Sequence, residues 1–153
     1  MSKSKKDKAA LYASRLINIR PRSEKELRKR FKEKGYNRAT TQDIISQLKD
    51  KKIIDDEKFA RLWVESRMRS NPKGVMLLRR ELKEKGISDS VIEGTLIGIK
   101  EKEAESAREL AEKKIDVFKK LTPNKAKKKL FDFLARRGFN FDIIEDIVKE
   151  HFK

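Results

Sequence analysis

Three times along this chain an apolar residue is followed four positions later by a second one, and four later again by glycine. The sets are Leu27, Phe31 and Gly35; Leu78, Leu82 and Gly86; Leu130, Leu134 and Gly138. The positions between them are mostly charged. A spacing of four puts both apolar side chains on one helix face. Glycine then supplies the left-handed conformation in which helices commonly end. The three glycines stand 51 and 52 residues apart. A fixed period of that length marks stacked repeats, each too small to bury its apolar face alone.

The rest of the pattern fills each repeat with two more helices. The first repeat opens with a helix over 8–19, carrying Ala9, Ala13, Leu16 and Ile17 inward and stopped by Pro21. Ser23 to Glu26 reads as a capping box, the serine oxygen taking a free N–H and Glu26 reaching back. Thr40 or Thr41 is expected to cap a third helix through Ile44, Ile45 and Leu48. The second repeat begins at an Asp55–Asp56 cap. Phe59, Leu62, Trp63 and Ser66 face inward, Pro72 breaks the helix, Val75 joins Leu78 and Leu82, and Ser88 or Asp89 caps Val91, Ile92 and Leu96. The third repeat begins with a longer helix, 101–121, striped by Ala104, Ala107, Ala111, Ile115 and Phe118. After Pro123 and the Leu130–Phe133–Leu134 helix, Asn140 caps Ile143, Ile144, Ile147 and Val148. No strand-like alternation persists. The expectation is an all-α chain: a basic disordered arm over 1–7, then three tandem three-helix repeats over 8–54, 55–100 and 101–153, forming an elongated, curved array.

Charge adds a direction. The chain of 153 residues has 41 Lys+Arg against 25 Asp+Glu, a net +16. Residues 1–35 hold 13 basic and 4 acidic side chains, 36–85 hold 13 and 8, and 86–153 hold 15 and 13. An excess of this size implies an anionic partner. It is concentrated in the first two repeats, apart from a cluster around Lys127 and Lys128. There is no cysteine, which excludes disulfides and thiolate metal sites and suits a reducing cytoplasm. No apolar run approaches a membrane span, and the start lacks the apolar segment of a signal peptide.

The candidate binding residues follow from where the cations fall. Arg28, Lys29, Arg79 and Arg80 lie off the apolar stripes of the second helices, as do Arg136 and Arg137 at the end of the third-repeat equivalent. Arg20, Arg22, Arg67, Arg69 and Lys73 sit at connections between first and second helices. Arginine grips carboxylate or phosphate through two parallel hydrogen bonds. Trp63, four residues from Phe59, reads as core, and Asp55–Asp56 as a cap instead of a metal pair. No phosphate-cradling Gly-rich motif ending in Lys-Ser/Thr is present. No acid, base and nucleophile set converges, so no catalysis, cofactor or metal is expected.

Three stretches carry a family resemblance: Arg20-Pro-Arg-Ser-Glu-Lys-Glu-Leu-Arg28; Ile54-Asp-Asp-Glu-Lys-Phe-Ala60 with Trp63-Val-Glu-Ser-Arg67; and Gly74-Val-Met-Leu-Leu-Arg-Arg-Glu-Leu-Lys-Glu-Lys-Gly86. In order and spacing the chain closely resembles RecX, the bacterial regulatory protein of the RecA recombinase. The third repeat matches mainly in helix pattern. The resemblance implies tandem three-helix repeats and a partner, the RecA–DNA filament, bound in its groove or at its end. Through that partner it implies inhibition of RecA ATP hydrolysis, strand exchange and co-protease action. Single-stranded DNA is expected as a weak, salt-sensitive ligand of a monomer, with no membrane contact. The alternative is a basic helical-repeat protein that acts on DNA directly.

Overall fold

The computed structural model describes residues 4–153 as nine α-helices, with no strand among the described residues. The first repeat is α1 (Lys5–Ile19), α2 (Glu24–Lys34) and α3 (Arg38–Asp50); the second is α4 (Asp56–Ser70), α5 (Val75–Glu84) and α6 (Asp89–Glu101). The third is α7 (Glu103–Phe118), α8 (Pro123–Arg136) and α9 (Phe141–His151). Each repeat has its own core. Leu27, Phe31, Ile44 and Ile45 are buried in the first; Leu78, Leu82, Ile92 and Leu96 in the second; Leu130, Leu134, Ile144 and Ile147 in the third. The chain exposes 10275 Å², whereas a compact monomer of its 18.0 kDa exposes about 8,000 Å². Several small cores in a row, with more surface than one sphere, are what an extended array predicts.

All three glycines have positive φ: +95° at Gly35, +81° at Gly86 and +82° at Gly138. Each sets up the same helix stop. The glycine N–H bonds three residues back, and the next N–H reaches five back: Tyr36 to Phe31, Ile87 to Leu82 and Phe139 to Leu134. The residue after the glycine is apolar and folds onto the core it terminates, which completes the motif.

Several local expectations are corrected. The arm over 1–7 falls partly on residues 1–3, outside the described residues. Lys5–Asp7 form the first turn of α1, because the Ser4 side chain accepts the Asp7 N–H at 3.1 Å. Asn37, not Thr40 or Thr41, caps α3, its side chain accepting from the Thr40 N–H at 2.8 Å. Leu62 and Ser66 face solvent, and the inner face of α4 is Phe59, Ala60 and Val64 with Trp63 half-buried. Each residue turns the side chain by about 100° along a helix, so Val64, two residues past Leu62, points about 200° away from it, into the core. The long third-repeat helix spans only Glu103–Phe118. Ser23 does cap α2, accepting the Glu26 N–H at 3.2 Å. Glu26 does not close the box, because its carboxylate is taken by cations from two repeats.

Candidate anion-binding surface and the joints between repeats

One construction joins the repeats at both junctions. The first residue of each following repeat's opening helix caps the second helix of the repeat before it. Asp56 Oδ1 accepts the Glu24 N–H at 3.0 Å at the start of α2. The Glu103 carboxylate accepts the Val75 N–H at 3.4 Å at the start of α5, and the Asn140 N–H at 3.0 Å. Helix starts leave N–H groups free, and an anion there is favoured. Burial pushes the Asp56 carboxyl above its usual range, against the opposing hydrogen bond from Glu24.

The two joints differ in what else holds them. At the second, backbone meets backbone: Gly74 N–H donates to Arg137 O at 2.7 Å and Met76 N–H to Gly138 O at 3.2 Å. At the first, side-chain charge dominates. Lys85 of repeat 2 pairs with Glu26 of repeat 1 at 3.2 Å, and Lys25 donates to Glu84 O at 3.3 Å. Glu26 also takes Arg20 at 2.6 Å and stands 3.8 Å from Arg22.

Around Glu26 lies a mainly basic cleft walled by Arg20, Arg22, Lys29, Arg30 and Lys85, with Glu33 the one other carboxylate in its lining. It brings together three residues singled out from the sequence, Arg20, Arg22 and Lys29, and adds Arg30 and Lys85. Arg22 is buried, its Nε donating to Leu16 O at 3.2 Å. Burial first, and Arg20 next, lower its pKa. Arg22 is therefore a strut, while Lys29 and Arg30 are open to solvent. On the other flank of α2 is a second depression lined by Arg28, Lys32, Arg38 and Tyr36. Arg28 also bonds Gln42 at 2.8 Å.

Three other candidates gather at the second joint. Arg137 lies over the Phe133 ring at 3.9 Å and donates to Phe133 O at 3.1 Å. Lys73 donates to Asn71 O at 2.9 Å. Its pKa is lowered by burial, then by Arg67 and Arg137. Arg67 pairs with Glu81 at 2.9 Å.

The remaining candidates separate into bound and free. Arg79 holds Glu93 through two bonds, 2.7 and 3.2 Å, and so clamps α5 to α6. Lys29, Arg69, Arg80, Lys127, Lys128 and Arg136 are exposed and make no ion pair with the described residues. Sequence reasoning missed Arg30, Lys85 and the clamping role of Glu26. The signal for Lys85 was present: like Arg137, it stands immediately before a repeated glycine.

The Arg79–Glu93 clamp predicts an acid-sensitive α5–α6 contact. Hydrogen bonds from Arg79 and then Lys100 hold the Glu93 carboxyl down to about 2, from an ordinary 4.5. A depressed acid contributes stability that is present above its unfolded pKa and is lost as pH falls through the folded one. The contribution should therefore disappear between about 4.5 and 2. An NMR titration should find Glu93 low in the parent and returned toward 4.5 in Arg79→Gln; an unmoved Glu93 would show that Lys100 alone holds it.

No three His, Cys, Asp or Glu side chains among the described residues are grouped to hold a metal, and no described helix is long and apolar enough to cross a membrane. Three family models match the chain in order: the first three-helix domain of RecX over residues 9–48, the second over 55–96 and the third over 101–148. The regulatory protein RecX of Chlorobaculum tepidum is 34% identical over 97% of this chain and 91% of its own length. That of Clostridium botulinum is 36% identical over 84% of this chain, which spans 61% of that longer relative. Among solved structures, RecX from Lactobacillus salivarius superposes with a TM-score of 0.84 at 26% identity, covering 95% of this chain and 96% of that one. A second crystal structure, of a regulatory protein RecX, gives 0.81 at 26% identity over 94% of this chain and 71% of its own. Three domains matched in sequence order, a relative matched nearly end to end, and one shared fold place the chain in the RecX family of regulatory proteins.

Proposed function

We propose that this chain regulates the RecA recombinase by lying along or at the end of the RecA–DNA filament. From there it restrains RecA ATP hydrolysis, strand exchange and co-protease action, as a cytoplasmic monomer with no chemistry of its own. The observation that carries this reading is the ordered match to all three RecX domains on a chain whose exposed cations are spread over three linked repeats. An extended body with several modest contacts suits a long polymeric target, because linked patches gain through effective concentration. The test is RecA ATPase on single-stranded DNA, titrated with the chain. Hydrolysis should fall in a saturable way; unchanged hydrolysis at saturating chain would remove the proposal.

Direct action on DNA is the second reading. It is favoured by the depression beside α2, where Arg28, Lys32 and Arg38 surround Tyr36 with no carboxylate in the lining. Cations beside an aromatic ring are the elements of a single-strand groove. With one such ring the binding should be weak. If about five phosphates are neutralised, log K should fall with log salt at a slope of roughly −3.5. Fluorescence anisotropy across a salt series measures this, and an affinity indifferent to salt would exclude the electrostatic account.

A further inference from the structure

The two joints are built alike, and the first contains a carboxylate that the second lacks. Arg22 and Lys73 are 51 residues apart and precede α2 and α5 by the same two positions. Lys85 and Arg137 are 52 apart, each just before its glycine. Each joint therefore brings together one cation from before a second helix and one from the end of the next repeat's second helix. At the first joint the third residue of α2, Glu26, enters between them, 3.8 Å from Arg22 and 3.2 Å from Lys85. The third residue of α5 is Leu77. The Gly74–Arg137 backbone bond sets Lys73 beside Arg137, with the Lys73 ammonium on Asn71 O and the Arg137 guanidinium on the Phe133 ring, and Arg67 is a third cation nearby. Glu81, the carboxylate near Lys73, is already paired with Arg67 at 2.9 Å.

We propose that the second joint is a seat for a carboxylate side chain of a protein partner, which binds between Lys73 and Arg137 as Glu26 does between Arg22 and Lys85. The inference rests on the reading that this chain's target is a protein filament, and it names the chemistry that the target must present. Two observations favour a protein acid over a nucleic-acid phosphate. The chain's own occupant of the equivalent seat is a carboxylate. The neighbouring surface is also apolar at Met76, which is 47% exposed on the first turn of α5. No exposed aromatic ring flanks it as a stacking platform: Phe133 is buried beneath Arg137, and the exposed Phe141 packs on Phe131 instead. A partner with an acidic residue beside an apolar one would complement this joint, because the acid meets Lys73 and Arg137 while its neighbour covers Met76.

The substitution Leu77→Glu tests this directly, because it rebuilds at the second joint the carboxylate of the first. The full chain is titrated by NMR with a hexaglutamate peptide and, separately, with oligothymidylate, following the Lys73 and Arg137 side-chain signals. The peptide should shift both signals in the parent. In Leu77→Glu the shifts should already be present without peptide, and peptide binding at this joint should drop by tenfold or more. Leu77→Gln, which lacks the charge, should keep the parent's response, and this separates occupation from damage to packing. Lys73→Gln should weaken the peptide response, whereas Lys113→Gln on the exposed face of α7 should not. A parent response absent at Lys73 and Arg137, or unchanged in Leu77→Glu, overturns the seat. Shifts produced by oligothymidylate but not by the peptide overturn the carboxylate in favour of phosphate. Because no recombinase is present, these outcomes stand apart from the ATPase test of the regulatory reading.

Discussion

Gly74→Ala should destabilise this protein by about 2–3 kcal/mol, the upper part of the range for forcing extra atoms into a packed site. The second joint has no room for a methyl group there. A Cβ on Gly74 would lie 2.1 Å from the Gly138 carbonyl oxygen and 2.3 Å from the Phe139 nitrogen, and backbone atoms cannot swing aside. Relief would require the Gly74–Arg137 and Met76–Gly138 hydrogen bonds to lengthen. Glu103, buried and bonded to both Val75 and Asn140, would be left with poorly placed donors. Conformational preference cannot be the cause, because Gly74 has φ −81°, which any residue adopts. Gly35→Ala provides the converse. It has φ +95° and nothing within 4 Å of a new Cβ, so it should cost only about 1 kcal/mol of backbone strain. Urea melts of both variants give the comparison. Gly74→Ser is the control for capping, since serine is the better residue at a helix start but brings the same Cβ. If Gly74→Ser is as stable as the parent, the close approach of the two glycines is not what holds the joint.

The repeats were legible in the sequence because the Leu-x3-Leu/Phe-x3-Gly phrase contains its own physics: an i,i+4 apolar pair and a left-handed stop. Local propensity and local burial agree there. The joints were less legible. Asp56 and Glu103 cap helices in another repeat, across 32 and 28 residues respectively, and a cap delivered from so far away leaves no local spacing to read. Glu26 shows how a correct motif can mislead. Ser-x-x-Glu predicted a carboxylate returning to its own helix, but three cations from the joint outbid a single backbone N–H for it. The basic surface was legible only as a total. Separating Arg22 and Arg79, which are fixed to acceptors within the chain, from Lys29 and Arg80, which are open, required the packing of neighbouring helices.

That separation changes which charges should matter for regulation. Lys29 and Arg80 are equivalent, each two residues past the first leucine of its phrase, and both are exposed and unpaired among the described residues. The third repeat has Asp132 at this place. The stripe therefore belongs to repeats 1 and 2, where most of the net charge lies. Lys29→Glu combined with Arg80→Glu should raise the concentration needed to inhibit RecA filament ATPase by about a hundredfold or more. This assumes that each contact is shielded in the complex and worth on the order of 1.5–3 kcal/mol, with every 1.4 kcal/mol giving about tenfold. If the contacts remain wet, each is worth roughly 0.2–1 kcal/mol, and the loss for the pair shrinks to between about twofold and thirtyfold. Arg79→Glu should behave differently. It sets two carboxylates against each other at the α5–α6 clamp, so its main effect should be a lower melting temperature, with inhibition by the folded fraction nearly retained. The measurement is RecA ATPase on single-stranded DNA at physiological salt, with circular dichroism melts of each variant alongside. A double variant that inhibits like the parent would mean the stripe on α2 and α5 is only a hydrated surface, and the filament contact would have to be sought at the joints.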